Sequence, residues 1–158
     1  MTSSFPWLSL LLVLPLAGAV AVYLATESAA RWIALVATLA DLLVALPLWW
    51  LFDPQAVQMQ FTEHVAWITA PPIYYSLGLD GISLPLVLMT AGIMPLCVLA
   101  SWNAITTSVR GFMATLLVME TAMVGVFVAL DFILFYVFWE AMLIPMYLLI
   151  GVWGGPNR

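Results

Sequence analysis

Apolar residues run along this chain in long blocks rather than in alternating stripes. Five blocks, 7–24, 32–52, 82–101, 112–130 and 132–150, each approach the roughly 20 residues that cross a hydrocarbon core about 30 Å thick. The last two need separating, because residues 112–152 form one nearly unbroken apolar stretch. As a single helix that stretch would be about 60 Å long at about 1.5 Å per residue, twice the core thickness. The chain must therefore turn back. Asp131, the most polar residue near the middle, is the expected turn at the membrane surface, where its charge can be solvated. The pattern predicts an all-α integral membrane protein with five transmembrane helices.

Aromatic anchors agree with these boundaries. Trp7, Trp32, Trp49, Trp50, Trp102 and Trp153 all fall near span ends, as an interfacial belt requires. Trp139 does not; it sits at mid-span beside Glu140. Five spans place loops 25–31, 102–111 and 151–158 on one side, and all three arginines lie in them. By the positive-inside rule that side is cytoplasmic, so the N-terminus is expected outside and the C-terminus in the cytoplasm. The sizeable loop, 53–81, then lies on the outer face. Its "VQMQFTEHVAWI" has partial period-two alternation and its "APPIYYSLGLDG" has strong turn signals. They predict a short hairpin or irregular cap on the membrane surface. Asp80 and Ser83 offer N-cap oxygens to the third span, with Pro85 in its first turn. Glu63 and His64 read as solvated loop residues. Ser28-Ala29-Ala30 loosely resembles a signal-peptide cleavage site, but the first block lacks a basic n-region and exceeds the roughly 7–15 residues of an h-region. An uncleaved membrane helix is expected there. The five spans show no internal repeat.

Composition supports the membrane assignment and removes other chemistry. The chain is 66 % hydrophobic and 7 % charged, whereas soluble domains are about half apolar and about a quarter charged. It has no lysine, and Arg31, Arg110 and Arg158 face eight acids, giving a net charge of −5. That balance argues against nucleic acid or anionic headgroups as partners, since both need clustered basic residues. Cys97 is the only cysteine, so neither a disulfide nor a cysteine-ligated metal site is available, and it reads as a small buried hydrophobe. There is no Gly-rich phosphate loop, no His/Cys ligand spacing and no Ser/His/Asp set. His64 has no second histidine with which to bind a metal.

What remains is three acids near the midpoints of spans: Asp41, Glu120 and Glu140. An acidic residue at the centre of a spanning helix costs about 2.5–3.5 kcal/mol on insertion scales, which makes each a functional candidate. No arginine lies at their depth. Either a partner supplies a cation or desolvation holds the acids protonated, and a carboxyl that can switch between the two is what a proton relay requires. A turn at 130–131 would put Glu120 and Glu140 at equal depth on adjacent helices, each about ten residues from the turn, with their rotation left open. On the fifth span, helical spacing puts Tyr136 and Tyr147 within about 40° of Glu140, a stripe suited to a hydrated path. Pro145 has no N–H for the carbonyl of Ala141 and so frees an acceptor beside Glu140. Plainer readings stand beside these. Glu140 could be an inter-helix hydrogen bond that holds a bundle together, Glu120 and the tyrosines packing residues, and Asp41 a contact with a neighbouring subunit.

"GVFVALDFILFYVFWEAMLIPMYLLIGVWGGPNR", residues 125–158, resembles the fourth-to-fifth helix region of the proton-pumping antiporter-like subunits of respiratory complex I, NADH–quinone oxidoreductase. "YSLGLDGISLPLVLMT", 75–90, is similar to the family's approach to its third helix, and "SWNAI", 101–105, to the loop that follows. "LIPMY" and "WGG" resemble the M-type branch (subunit M or chain M) rather than the L and N types. The resemblance spans essentially the whole chain. It implies a bundle of about fourteen helices containing two inverted five-helix repeats, each with a broken helix. This chain would be a fragment of that antiporter-like helical bundle: three leading helices in 1–110, then the first hairpin of the proton-translocating repeat in 111–158. Glu140 matches the family's fifth-helix glutamate, which pairs with a lysine on a later helix and takes part in proton translocation; Glu120 is matched to no invariant family residue and rests on its depth. The implied partners are the other membrane-arm subunits, the lipid bilayer and the remaining helices of the same subunit, in a bacterial inner membrane. No cofactor is expected in this chain; the FMN, iron–sulfur clusters, NADH and quinone would belong to other subunits. A subunit of a multi-subunit sodium/proton antiporter and a structural membrane scaffold are the rival functions.

Overall fold

The computed structural model describes residues 5–69 and 72–155. Its elements are α1 (Trp7–Leu24), α2 (Glu27–Leu51), β1 (Gln60–Ile68), β2 (Ile73–Leu79), α3 (Ser83–Ala100), α4 (Val109–Val128) and α5 (Phe132–Trp153). All five helices are long and apolar enough to cross a membrane. Three extend beyond the apolar blocks: α2 starts at Glu27, α4 at Val109, and α5 runs on to Trp153. A helix can continue into the interface after the hydrophobic run ends, and Glu27 in the first turn of α2 favours this by facing the positive end of the helix dipole.

Helix α4 is the centre of the bundle and packs against α1, α2, α3 and α5. Close approach of α1 to α2 depends on small side chains. A Cβ on Gly18 would lie 2.6 Å from the Cβ of Ala37, and Ala30 and Ala34 of α2 are fully buried. Without a hydrophobic effect between helices in lipid, such contacts supply the van der Waals attraction that associates them. Helix α5 is held differently. It rests on α4 and on β2, and only Leu134 and Pro145 along its length are buried.

The two ends of the bundle differ in character. At one end the Arg31 guanidinium donates to the Ile105 carbonyl at 2.9 Å, Arg110 pairs with Glu27 at 3.8 Å, and the Trp153 indole donates to the Thr107 carbonyl at 2.9 Å. The arginine-bearing loops therefore meet at one end, as the spans require; Arg158 lies outside the described residues. At the other end β1 and β2 form an antiparallel hairpin with Glu63 opposite Leu77 and Val65 opposite Tyr75. Irregular register between Gln60 and Glu63, where Phe61 takes φ 52°, accounts for the broken alternation in the sequence.

This hairpin ties the helix ends together. Leu130 N–H donates to Ser76 C=O at 2.8 Å, joining β2 to the α4–α5 turn. In that turn Asp131 Oδ1 accepts from the N–H groups of Ile133 (2.9 Å) and Leu134 (3.1 Å), capping α5, while Oδ2 accepts from Tyr74 N–H at 3.3 Å. Asp80 and Ser83 exchange bonds before α3: Asp80 Oδ1 accepts from Ser83 N–H at 2.7 Å, and Ser83 Oγ accepts from Asp80 N–H at 2.9 Å.

The Leu134 N–H, followed by those of Tyr74 and Ile133 and by nearby His64, holds the Asp131 carboxyl below its ordinary value of 3.8. A depressed folded-state value stabilises the fold fully above the unfolded value and is lost as pH falls through the folded one. Asp131→Asn keeps an N-cap oxygen but does not titrate. Acid titration of hairpin order, read by hydrogen exchange at Ser76 and Leu130, is expected to fall more gently below about pH 4 in Asp131→Asn than in the parent. Identical profiles would contradict the cap.

Glu63 corrects the sequence reading, because it is not a freely solvated loop residue. It reaches from β1 to the first turn of α1, where its carboxylate accepts from Leu8 N–H at 2.8 Å and Ser9 N–H at 3.1 Å, and also from the Ser9 hydroxyl. Those amides are among the orphan donors of a helix start, and a carboxylate also complements the dipole there. Ser9 has one hydroxyl proton and gives it to Glu63, so the Tyr75 hydroxyl, 2.8 Å away, donates to Ser9 Oγ. Burial pushes the Tyr75 phenol up, and the Glu63 charge adds to this, which keeps the donor protonated. Glu63→Ala is expected to cost about 1–2 kcal/mol, by the measure of lost helix caps, and to speed hydrogen exchange in the first turn of α1. Unchanged exchange at Leu8 and Ser9 would count against the cap.

Candidate functional site

Glu140, Tyr136 and Tyr147 lie on the exposed side of α5, with Tyr136 54 % and Tyr147 76 % exposed. The stripe expected from helical spacing is therefore present. Tyr136 and Glu140, one turn apart, interact through their side chains. Trp139 is also exposed and stacks loosely against Phe135 at 5.9 Å between ring centroids. Pro145 lies inside the continuous helix, so the Ala141 carbonyl lacks its usual backbone donor one residue from Glu140. An ionisable group, two phenols and an under-bonded carbonyl thus share a surface otherwise formed by Val137, Ile144 and similar residues. That is costly chemistry for a face turned to hydrocarbon and ordinary chemistry for one covered by further polar protein.

Glu120 is placed quite differently. It is 0 % exposed, on the side of α4 turned into the bundle, so equal depth with Glu140 does not make the two a pair. Its neighbour is Asp41 of α2, also 0 % exposed and close enough for the carboxyls to interact. Of the readings left open for Asp41, a contact with a neighbouring subunit is disfavoured, because its side chain is covered by its own chain. Cys97 of α3, which is only partly buried, lies on the side of Glu120. None of the four oxygens of Asp41 and Glu120 has a hydrogen-bond partner of good geometry among the described residues. Sequence reasoning identified each acid but not the pairing. No group of three or more His, Cys, Asp or Glu suited to a metal ion occurs among the described residues.

Residues 8–126 match the sequence model of the family described as NADH-ubiquinone oxidoreductase chain 4, amino terminus. Residues 129–158 match that of NADH:quinone oxidoreductase/Mrp antiporter, TM. NADH-quinone oxidoreductase subunit M of Rhodobacter capsulatus is 46 % identical over 158 residues, covering 96 % of this chain and 30 % of the relative. The F(420)H(2) dehydrogenase subunit M of Methanosarcina mazei is 40 % identical, covering 97 % of this chain and 31 % of its own length. Among solved structures, respiratory complex I from Thermus thermophilus with bound NADH superposes with a TM-score of 0.81 at 26 % identity, over 96 % of this chain and 30 % of that one. The Mrp complex from Dietzia sp. DQ12-45-1b shares the fold, with a TM-score of 0.76 at 21 % identity over 95 % of this chain and 16 % of that one. The chain thus spans about a third of the length of the curated relatives it matches. It is an integral membrane chain of the NADH–quinone oxidoreductase subunit M/chain 4 family.

Proposed function

We propose that this chain is part of a proton-translocating membrane-arm subunit of an NADH–quinone oxidoreductase, with Glu140 as its proton-exchanging carboxyl. One observation carries the reading: Glu140 sits at mid-span on the side of α5 that the described residues leave uncovered. In the whole protein a further helix bearing a lysine covers that side, and its charge controls whether Glu140 holds a proton. Tyr136 and Tyr147 extend the polar path above and below Glu140. The redox groups, FMN and iron–sulfur clusters, and the NADH and quinone sites belong to other subunits, so this chain supplies proton handling and no electron transfer. The arginine end faces the cytoplasm and the hairpin end the outside of a bacterial inner membrane.

A photo-crosslinking side chain introduced at Tyr147 in the complete complex tests the carrying observation. The expected product joins residue 147 to a later segment of the same polypeptide. Products with lipid alone would show that the α5 face is an outer wall and would remove Glu140 from any proton path.

A further inference from the structure

We propose that Asp41 and Glu120 share a proton, forming a second proton-binding site that is buried between α2 and α4 and separate from Glu140. Both side chains are fully enclosed within this chain, and they interact with each other. Two adjacent carboxylates in a low-dielectric interior would suffer mutual repulsion as well as the loss of water, and only a counter-ion or a proton relieves that.

The surroundings rule out a counter-ion from the described residues. Arg31 is engaged with the Ile105 carbonyl and Arg110 with Glu27, both at the far ends of their helices. The buried hydroxyls nearest along the chain are committed elsewhere: Thr38 donates to the Ala34 and Leu35 carbonyls, and Thr121 to those of Leu12 and Leu117. Of the titratable groups on the packed helices, Cys97 of α3 faces Glu120, while α1 has only Tyr23 near its end. Those of α5 (Tyr136, Glu140 and Tyr147) are on its exposed side. Four unpartnered carboxyl oxygens are therefore left to satisfy one another. A proton on one carboxyl joins two of these oxygens by donating to an oxygen of the other, leaving one negative charge on the pair; uptake of a second proton neutralises the pair and gives the remaining two oxygens a bond of the same kind. No other group need be gained or lost. The site binds a proton irrespective of whether Glu140 takes part in translocation.

Infrared difference spectroscopy on the assembled complex tests this in H₂O and D₂O. Relative to the parent, Asp41→Asn/Glu120→Gln should lose a protonated-carboxyl C=O band that shifts in D₂O and does not respond to sodium. Glu140→Gln should retain that band. If the amide double variant fails to assemble, Asp41→Leu/Glu120→Leu removes the polar atoms altogether, and the same loss is expected. No such band in the parent, the same band in a double variant, or a band that appears only when sodium is withdrawn would each overturn the shared proton, the last in favour of a cation site. A band lost in Glu140→Gln but kept in the double variants would reverse the assignment while leaving the Glu140 reading intact.

Discussion

Glu140→Gln in the complete complex is expected to leave assembly intact while lowering coupled quinone reduction roughly tenfold or more. The amide has nearly the shape of the acid and keeps a hydrogen-bonding group beside Tyr136, so packing on the exposed side of α5 changes little. What it loses is the ability to carry a proton, and a positioned proton-transfer group commonly contributes about a hundredfold or more to rate. Glu140→Asp restores the titratable group on a shorter stem and should recover part of the activity. A scaffold role predicts the opposite order, with Gln tolerated at least as well as Asp. Steady-state NADH-dependent quinone reduction by the three proteins distinguishes them, provided that the assembled complex is quantified in each.

Gly125→Ala should produce a larger structural effect than alanine at Gly18, Gly78 or Gly111, where an added Cβ meets its neighbours at longer range. A Cβ at this position would lie 2.3 to 2.6 Å from three ring carbons of Phe138, where α4 meets α5. An aromatic ring wedged between helices cannot step aside as the tip of a flexible side chain can, and overpacking of this kind costs about 1–3 kcal/mol. The α4–α5 contact is the main support of α5, so the loss should appear as a lower melting temperature and reduced incorporation into the complex. Phe138→Ala should be destabilising alone and should partly rescue Gly125→Ala, a coupling that a double-mutant cycle measures. Strictly additive effects of the two changes would show that the ring and the glycine are not in contact.

The five spans and their order were legible in the sequence because crossing a hydrocarbon layer demands a minimum length of apolar residues, and this chain supplies it five times. Asp131 was legible as the turn for the same reason, since a single helix over 112–152 is too long. Pairings across the bundle were not. Lipid is as apolar as the bundle interior, so the pattern of apolar residues does not reveal which side of a membrane helix turns inward. Asp41 and Glu120 stood out as costly acids, yet nothing in the order of residues turns their two helices towards each other. Glu63 was missed for a related reason, because its partners in α1 lie 54 and 55 residues away and its own neighbours look like loop. The sign that could have suggested it is an α1 start with no side-chain cap of its own. Glu140 stood out in the sequence by its depth and by the resemblance of "FWEAMLIPMY" to the family, and the structure adds that it lies beside Tyr136 on a side of α5 that the described residues leave exposed.

The antiporter reading shares the fold but places the energy source elsewhere. A Mrp-like subunit would exchange protons for sodium without quinone chemistry, so a proton gradient that depends on NADH and quinone separates the two. The same measurement bears most directly on Glu140. The complete complex, reconstituted in sealed vesicles, is given NADH and quinone while internal pH is followed. Parent vesicles should develop a proton gradient that is insensitive to removal of sodium, and Glu140→Gln vesicles should develop none, even when the residual NADH oxidation rates are matched. A gradient of parental size from assembled Glu140→Gln complex would contradict the assignment of Glu140 as the proton-exchanging carboxyl.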